Sequence, residues 1–151
     1  MNINGIDEKQ LAEAKALTAG EGDIKVTEDG HTHEFKPTSV FGYLSWSALD
    51  GEWIGDEAPE SIRIQYGSDL AAGPHQREHP DLYITYRDPN GHEFWQSSVV
   101  SGRLTVLVDR PPFSPDFQHV GRLEDVRFES GGRSVTLNGS YKVTSYDFKP
   151  V

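Results

Sequence analysis

Apolar and polar residues alternate in short segments along most of the chain, and turns that contain glycine or proline separate these segments. A period of two residues is that of a β-strand, whereas a helix has a period of about 3.6. The clearest pair, residues 24–28 and 31–35, flanks Asp29-Gly30, which favours a two-residue hairpin turn. Such a turn places Ile24 opposite Phe35, so that apolar residues pair on one face. The pattern therefore predicts antiparallel β structure.

The same alternation continues toward the C-terminal end of the chain. A second two-residue turn, Gly131-Gly132, places Phe128 opposite Val135. The chain is therefore expected to be all-β and mainly antiparallel, a single β-sandwich or small β-barrel of about eight to nine strands. The core is expected at residues 23–148. Further predicted strands occupy residues 40–46, 61–66, 82–86, 93–100, 104–108, 122–129, 133–141 and 141–148.

Residues 7–19 are rich in alanine and leucine and predict one N-terminal helix. Asp7 suits the N-cap and Gly20 suits the position just after the last turn. The apolar stripe of this helix is thin, so we expect it to pack on the outside of the β structure. A length of 151 residues is near the commonest size of one domain, and residues 1–151 are predicted to form one.

Charge and composition restrict the classes of partner. Lys and Arg total 14 and Asp and Glu total 24, which gives a net charge of -10. Such a chain is not expected to bind nucleic acid or an anionic membrane surface. Cysteine is absent, which excludes disulfides and thiolate chemistry. Because the first residues lack a leader pattern, we expect a cytoplasmic protein, or a periplasmic or secreted one if a leader has been removed. Nothing in the sequence specifies an oligomeric state.

Three irregular segments, residues 49–60, 67–80 and 110–116, are the predicted places for a functional site. The first is acidic and also holds a tryptophan, which has little local core to join. Phe94 and Trp95 are adjacent, so one of them is expected outside the core. An exposed aromatic side chain can anchor a protein or stack on a sugar ring. The candidate binding residues are Trp53, Asp56, Glu57, Glu60 and Trp95.

His75 and His79 have the spacing of two metal ligands on one helical turn, and Glu78 or Asp81 could complete a site. Prolines bracket this segment, so a regular helix is not expected there and the pattern favours solvated loop histidines. We therefore predict no cofactor, with a divalent metal at His75 and His79 as the alternative.

Gly51-Glu52-Trp53 resembles the Gly-x-Trp motif in the first strand of lipocalins. This resemblance implies an eight-stranded barrel that carries a small ligand in its interior. In a small-ligand carrier more generally, Tyr43, Trp46, Tyr83 and Trp95 would line either a barrel interior or the mouth of a sandwich.

The sequence holds no nucleophile elbow, phosphate-binding loop, zinc-protease motif or dinucleotide fingerprint. We therefore expect a non-catalytic binding protein, of the inhibitor or immunity type, whose acidic surface neutralises a basic protein. Two alternatives remain open. One is a lipocalin-like or carbohydrate-binding carrier of a small ligand, and the other is a metal-dependent enzyme that uses His75 and His79.

Overall fold

The structure, a computed structural model, describes residues 2–3, 6–7, 11–17 and 20–144. Antiparallel strands dominate it, as the sequence predicts. In chain order the elements are β1 (Asn2–Ile3), β2 (Ile6–Asp7), α1 (Ala12–Ala16), β3 (Gly22–Glu28), β4 (His31–Phe35), β5 (Ser39–Tyr43), β6 (Trp46–Asp50), β7 (Ser61–Gln65), β8 (Gly73–Glu78), β9 (Tyr83–Arg87), β10 (Glu93–Phe94), β11 (Val99–Asp109), β12 (Gln118–Ser130) and β13 (Arg133–Thr144).

Two sheets form a sandwich. A five-stranded sheet has the order β10-β9-β7-β6-β5, and a six-stranded sheet has the order β4-β3-β13-β12-β11-β8. The space between them is filled by buried apolar side chains from both sheets, with Ile62 and Ile64 on one side and Val126 and Leu137 on the other. The alternation of residues along each strand sends the intervening side chains to the outer faces.

Both predicted hairpin registers are confirmed. Ile24 pairs with Phe35 across the Asp29-Gly30 turn, and Phe128 pairs with Val135. Strand β11, which includes the apolar segment 104–108, lies between β12 and β8. Leu104, Val106 and Val108 on one face and Thr105 on the other are buried, so this segment is covered on both faces.

The helix is much shorter than the predicted range 7–19. It spans Ala12–Ala16, and Asp7, the expected N-cap, lies instead in β2, where it pairs with Asn2. Residues 8–10 and 18–19 lie outside the described residues. Ala14 is fully buried, and Nζ of Lys142 on β13 donates to the backbone oxygen of Lys15. The helix therefore packs on the outside of the six-stranded sheet, as expected.

Two strand predictions and one loop prediction need correction, and the two sheets of the described residues contain 11 strands rather than the expected eight to nine. Residues 40–46 form no single strand, because the chain turns back at residues 44–45 and β5 pairs with β6. The predicted loop 67–80 contains β8, which pairs with β11. The segment 93–100 is broken by a 3-10 turn at Gln96–Ser98. At the C-terminal end, β13 runs through residue 141 without a break, and residues 145–148 lie outside the described residues.

The barrel implied by the lipocalin resemblance is also not formed, because the chain builds two separate sheets. Trp53 lies after β6, outside the named strands. The four aromatic residues expected to line a barrel interior or a sandwich mouth take outward positions on the five-stranded sheet or directly after it. Of these, Tyr43, Tyr83 and Trp95 are exposed and Trp46 is half-buried.

Candidate functional site

The outward face of the five-stranded sheet carries a polar row at the end nearest residues 51–60. Strand pairing places Asp50 opposite Ser61, Ser61 opposite Arg87 and Arg87 opposite Glu93. Paired residues of an antiparallel sheet point to the same face. Four neighbouring strands therefore carry a continuous row of hydroxyl and charged groups on the outer face, in which Asp50 is buried.

Two exposed tryptophans flank this row. Trp53 lies in the acidic loop (residues 51–60), and 61% of its surface is exposed. Trp95 follows β10 and is 59% exposed, whereas its neighbour Phe94 is buried in the core. The prediction that one of these two aromatics lies outside the core is confirmed. Although distant in sequence, Trp53 and Trp95 line the same cleft.

We call this feature the tryptophan cleft. It has a volume of about 200 Å³ and includes Trp53, Trp95, Asp50, Ser61, Arg63, Thr85, Arg87 and Glu93. Its charges are paired internally, because Arg63 forms an ion pair with Asp50 and Arg87 forms one with Glu93. The cleft thus offers donors and acceptors together with two tryptophan side chains, and these four charged side chains contribute no net charge. Convergent polar groups beside aromatic walls are typical of small-ligand sites.

The acidic loop is held at its base by hydrogen bonds. The Gly51 N–H donates to the backbone oxygen of Glu60 over 2.8 Å. The side chain of Glu60 accepts a hydrogen bond of 2.5 Å from the Tyr86 hydroxyl and lies 2.7 Å from Nε2 of His33. Burial and the adjacent Glu60 carboxylate raise the pKa of Tyr86 well above its usual value, so the phenol stays protonated. Glu60 therefore positions the loop that carries Trp53.

Beside this base lies the Asp88 cluster, which consists of Asp88, Glu28, His92 and Arg133. The Asp88 side chain is fully buried and accepts hydrogen bonds from the backbone N–H groups of Asn90 (2.9 Å) and His92 (2.8 Å). Nη1 of Arg133 lies 3.6 Å from Asp88 and 3.4 Å from Glu28. The cluster ties the turn between β9 and β10 to the six-stranded sheet.

The two carboxyl groups of the Asp88 cluster differ in their protonation. Burial, together with a hydrogen bond to Asp88 and its charge, raises the pKa of Glu28 to about 7. Burial also opposes the charge on Asp88, but hydrogen bonds from Glu28, His92 and Asn90 outweigh it and lower the pKa of Asp88. Glu28 is therefore the carboxyl group that takes up a proton first as the pH falls, while Asp88 remains ionised. The pair behaves as one coupled unit, as is expected of carboxyl groups in contact.

The remaining predicted binding residues lie next to the tryptophan cleft. Glu57 and Glu60 line a neighbouring surface depression that shares Pro59 with the cleft. Asp56 and Glu57 are exposed, as are Glu52 and Ile54 of the same loop. Within the described part of the chain, no ion pair involves Glu52, Asp56 or Glu57.

His75 and His79 lie in the second half of residues 67–80, which were predicted to form a loop and contain strand β8. His75 lies on β8, with Nε2 2.7 Å from the backbone oxygen of Ala71. His79 follows this strand, and its backbone N–H donates to Gly102. Residues 2–3, 6–7, 11–17 and 20–144 contain no group of three or more His, Asp or Glu side chains suited to a metal ion. A metal site at His75 and His79 stays a prediction.

The sequence interpretation did not include Arg63, Arg87 or Glu93 in the site. Arg63 carried one usable signal, since it alternates with the buried Ile62 and Ile64 and must face outward. Its pairing with Asp50, and the place of Arg87 and Glu93 beside them, depend on the order of strands in the sheet. Strand order is a tertiary property that the local pattern does not encode.

No helix in the described part of the chain combines the length and the apolar composition needed to cross a membrane. In three comparisons with known proteins, no family model, no curated protein and no solved structure matches this chain. Proteins with a β-sandwich fold have many unrelated functions, so the function depends on the chemistry of the site and not on the fold.

Proposed function

We propose that this protein is a non-catalytic binding protein that holds a sugar ring of a neutral carbohydrate in the tryptophan cleft. The observation that carries the proposal is the position of Trp53 and Trp95, two largely exposed tryptophans that line one small cleft above paired charges. Exposure of an indole ring to water is unfavourable in the free protein. A sugar presents apolar C–H faces that can cover such a ring.

The polar row supplies the hydrogen bonds that such a ligand needs. A sugar hydroxyl both donates and accepts, and the cleft offers arginine donors, carboxylate acceptors and the hydroxyl groups of Ser61 and Thr85. Because each arginine already has a carboxylate partner, an anionic ligand would have to compete with Asp50 and Glu93. The net charge of -10 also disfavours an anionic ligand.

We expect Trp53→Ala and Trp95→Ala each to weaken carbohydrate binding by about tenfold, because each removes one aromatic wall of the cleft. The measurement is a calorimetric titration with neutral gluco-, xylo-, manno- and chito-oligosaccharides. The matched control is Phe113→Ala, which removes a fully exposed aromatic ring outside the cleft and should leave the affinity unchanged. Equal affinities for all four proteins would contradict the proposal.

A second candidate function is the acidic inhibitor or immunity-type protein. The observation that favours it is the acidic loop itself, in which Trp53 and Ile54 are exposed among carboxylates that form no ion pair with any residue that the structure describes. Such a loop could insert an apolar anchor into a basic partner, with the carboxylates accelerating association. Two results together would favour this function over the first. No glycan would bind, and the wild-type chain would bind a basic protein that the Asp56→Asn, Glu57→Gln variant does not bind.

A further inference from the structure

A second line of outward side chains crosses the five-stranded sheet beside the tryptophan cleft. Strand pairing places Tyr83 opposite Gln65, Gln65 opposite Trp46 and Trp46 opposite Tyr43. We call these four residues the aromatic row. Neighbouring strands are about 4.8 Å apart, so a row across four strands extends over roughly 14 Å. That length exceeds a single sugar ring.

The aromatic row is accessible and adjoins the cleft. Tyr83 is 48% exposed and Tyr43 is 56% exposed. Trp46 is half-buried, because the ring of Phe41 packs edge-on against it with ring centres 5.8 Å apart. Thr85 and Arg63 of the cleft lie two residues from Tyr83 and Gln65 on the same strands, a separation of about 7 Å. The cleft and the row therefore form one continuous surface.

The composition of this surface indicates its ligand. The aromatic row contains three aromatic side chains and one amide and carries no charge, while the arginines and carboxylates of the cleft neutralise one another. Because each strand contributes one side chain, the row is only one side chain wide. Protein partners commonly bury about 800 Å² on each side, a broader contact than such a row provides.

We propose that the aromatic row extends the tryptophan cleft into a binding surface for a chain of several neutral sugar units that crosses the strands. This inference rests on the proposed function, since it assigns an oligosaccharide rather than a single sugar to the same site. Tyr83 and Tyr43, at opposite ends of the row, would contact the apolar faces of sugar rings at the two ends of the bound segment. The amide of Gln65, which lies between them, would both donate to and accept from sugar hydroxyls.

The test is the dependence of affinity on chain length. Gluco-, xylo-, manno- and chito-oligosaccharides of one to six units are titrated into the wild-type chain and into Tyr83→Ala, Gln65→Ala and Phe113→Ala variants. For the glycan that binds, we expect affinity to rise at least tenfold between one and four units. The gain should shrink in the Tyr83→Ala and Gln65→Ala variants and persist in the Phe113→Ala variant.

The outcomes separate this inference from the proposed function. Binding with an affinity that does not change with chain length would overturn the extended surface and leave the cleft as a site for one sugar. A length-dependent gain that both row variants retain in full would also overturn it. If no glycan binds, or if the aromatic row binds a protein instead, the proposed function and this inference are both overturned.

Discussion

Replacing Asp88 with alanine is expected to lower the free energy of unfolding by about 3 kcal/mol, because several groups lose their partner at once. The backbone N–H groups of Asn90 and His92 both donate to this buried carboxylate, and Arg133 lies 3.6 Å from it. The measurement is urea unfolding at pH 7.5.

The conservative variant Asp88→Asn separates the causes of this loss. An asparagine keeps an oxygen for the two N–H groups but loses the charge beside Arg133, so a smaller loss of stability is expected. Asp69→Ala, which changes an exposed residue, is the control and should fall within about 0.5 kcal/mol of the wild type. A loss below 1 kcal/mol for Asp88→Ala would show that the Asp88 cluster does not hold this end of the sandwich.

Replacing His119 with phenylalanine is expected to make the protein less sensitive to acid. His119 is fully buried, and neither ring nitrogen has a hydrogen-bond partner among the residues that the structure describes. Its ring packs against Tyr66 and Phe117 at centre distances of 5.2 Å and 5.0 Å. Burial, followed by the charges of His75 and Arg110, lowers the pKa of His119 from 6.5 to about 4.

The direction of the pH effect follows from proton linkage. Between pH 6.5 and 4 the unfolded chain binds a proton at His119 that the folded chain does not, so stability falls as the pH falls. Over two pH units in this window, proton binding at His119 lowers the free energy of unfolding by about 2 to 3 kcal/mol. When the pH is lowered from 7.5 to 4.5, the free energy of unfolding of His119→Phe should therefore rise by about that amount relative to that of the wild type.

Chemical unfolding at the two pH values measures this difference. Other groups that titrate in this window, including Glu28, contribute equally to both proteins and cancel. His119→Leu serves as a second variant if phenylalanine does not pack beside Tyr66. His31→Gln, on the exposed edge strand β4, is the control and should keep the wild-type pH dependence. Parallel pH profiles for His119→Phe and the wild type would contradict the account of this residue.

The fold could be predicted from the sequence where turns carry their own signal. Asp29-Gly30 and Gly131-Gly132 gave both hairpin registers, because glycine adopts the positive φ that these turns require. The turn at residues 44–45 contains Leu and Ser, so the pair β5 and β6 looked like one strand. Strand β8 was missed because Pro74 disfavours a strand, although an edge strand tolerates it.

The site was predictable only in part. Trp53 and Trp95 stood out as aromatics without a local core, but their meeting in one cleft depends on the order β10-β9-β7-β6. Glu60 was grouped with the acidic residues of its loop by charge alone. The structure places its carboxylate against Tyr86 and His33, contacts between distant segments that no local pattern reveals.

We expect the tryptophan cleft to hold a neutral sugar ring, and the NMR signal of each tryptophan indole N–H tests this. The chain has three tryptophans, which substitution to phenylalanine can assign one by one. Glucose, galactose, mannose and N-acetylglucosamine would be titrated in turn. We predict that at least one of them shifts the signals of Trp53 and Trp95 saturably, with a smaller shift for the half-buried Trp46. Signals of Trp53 and Trp95 that stay fixed with all four sugars would contradict the claim.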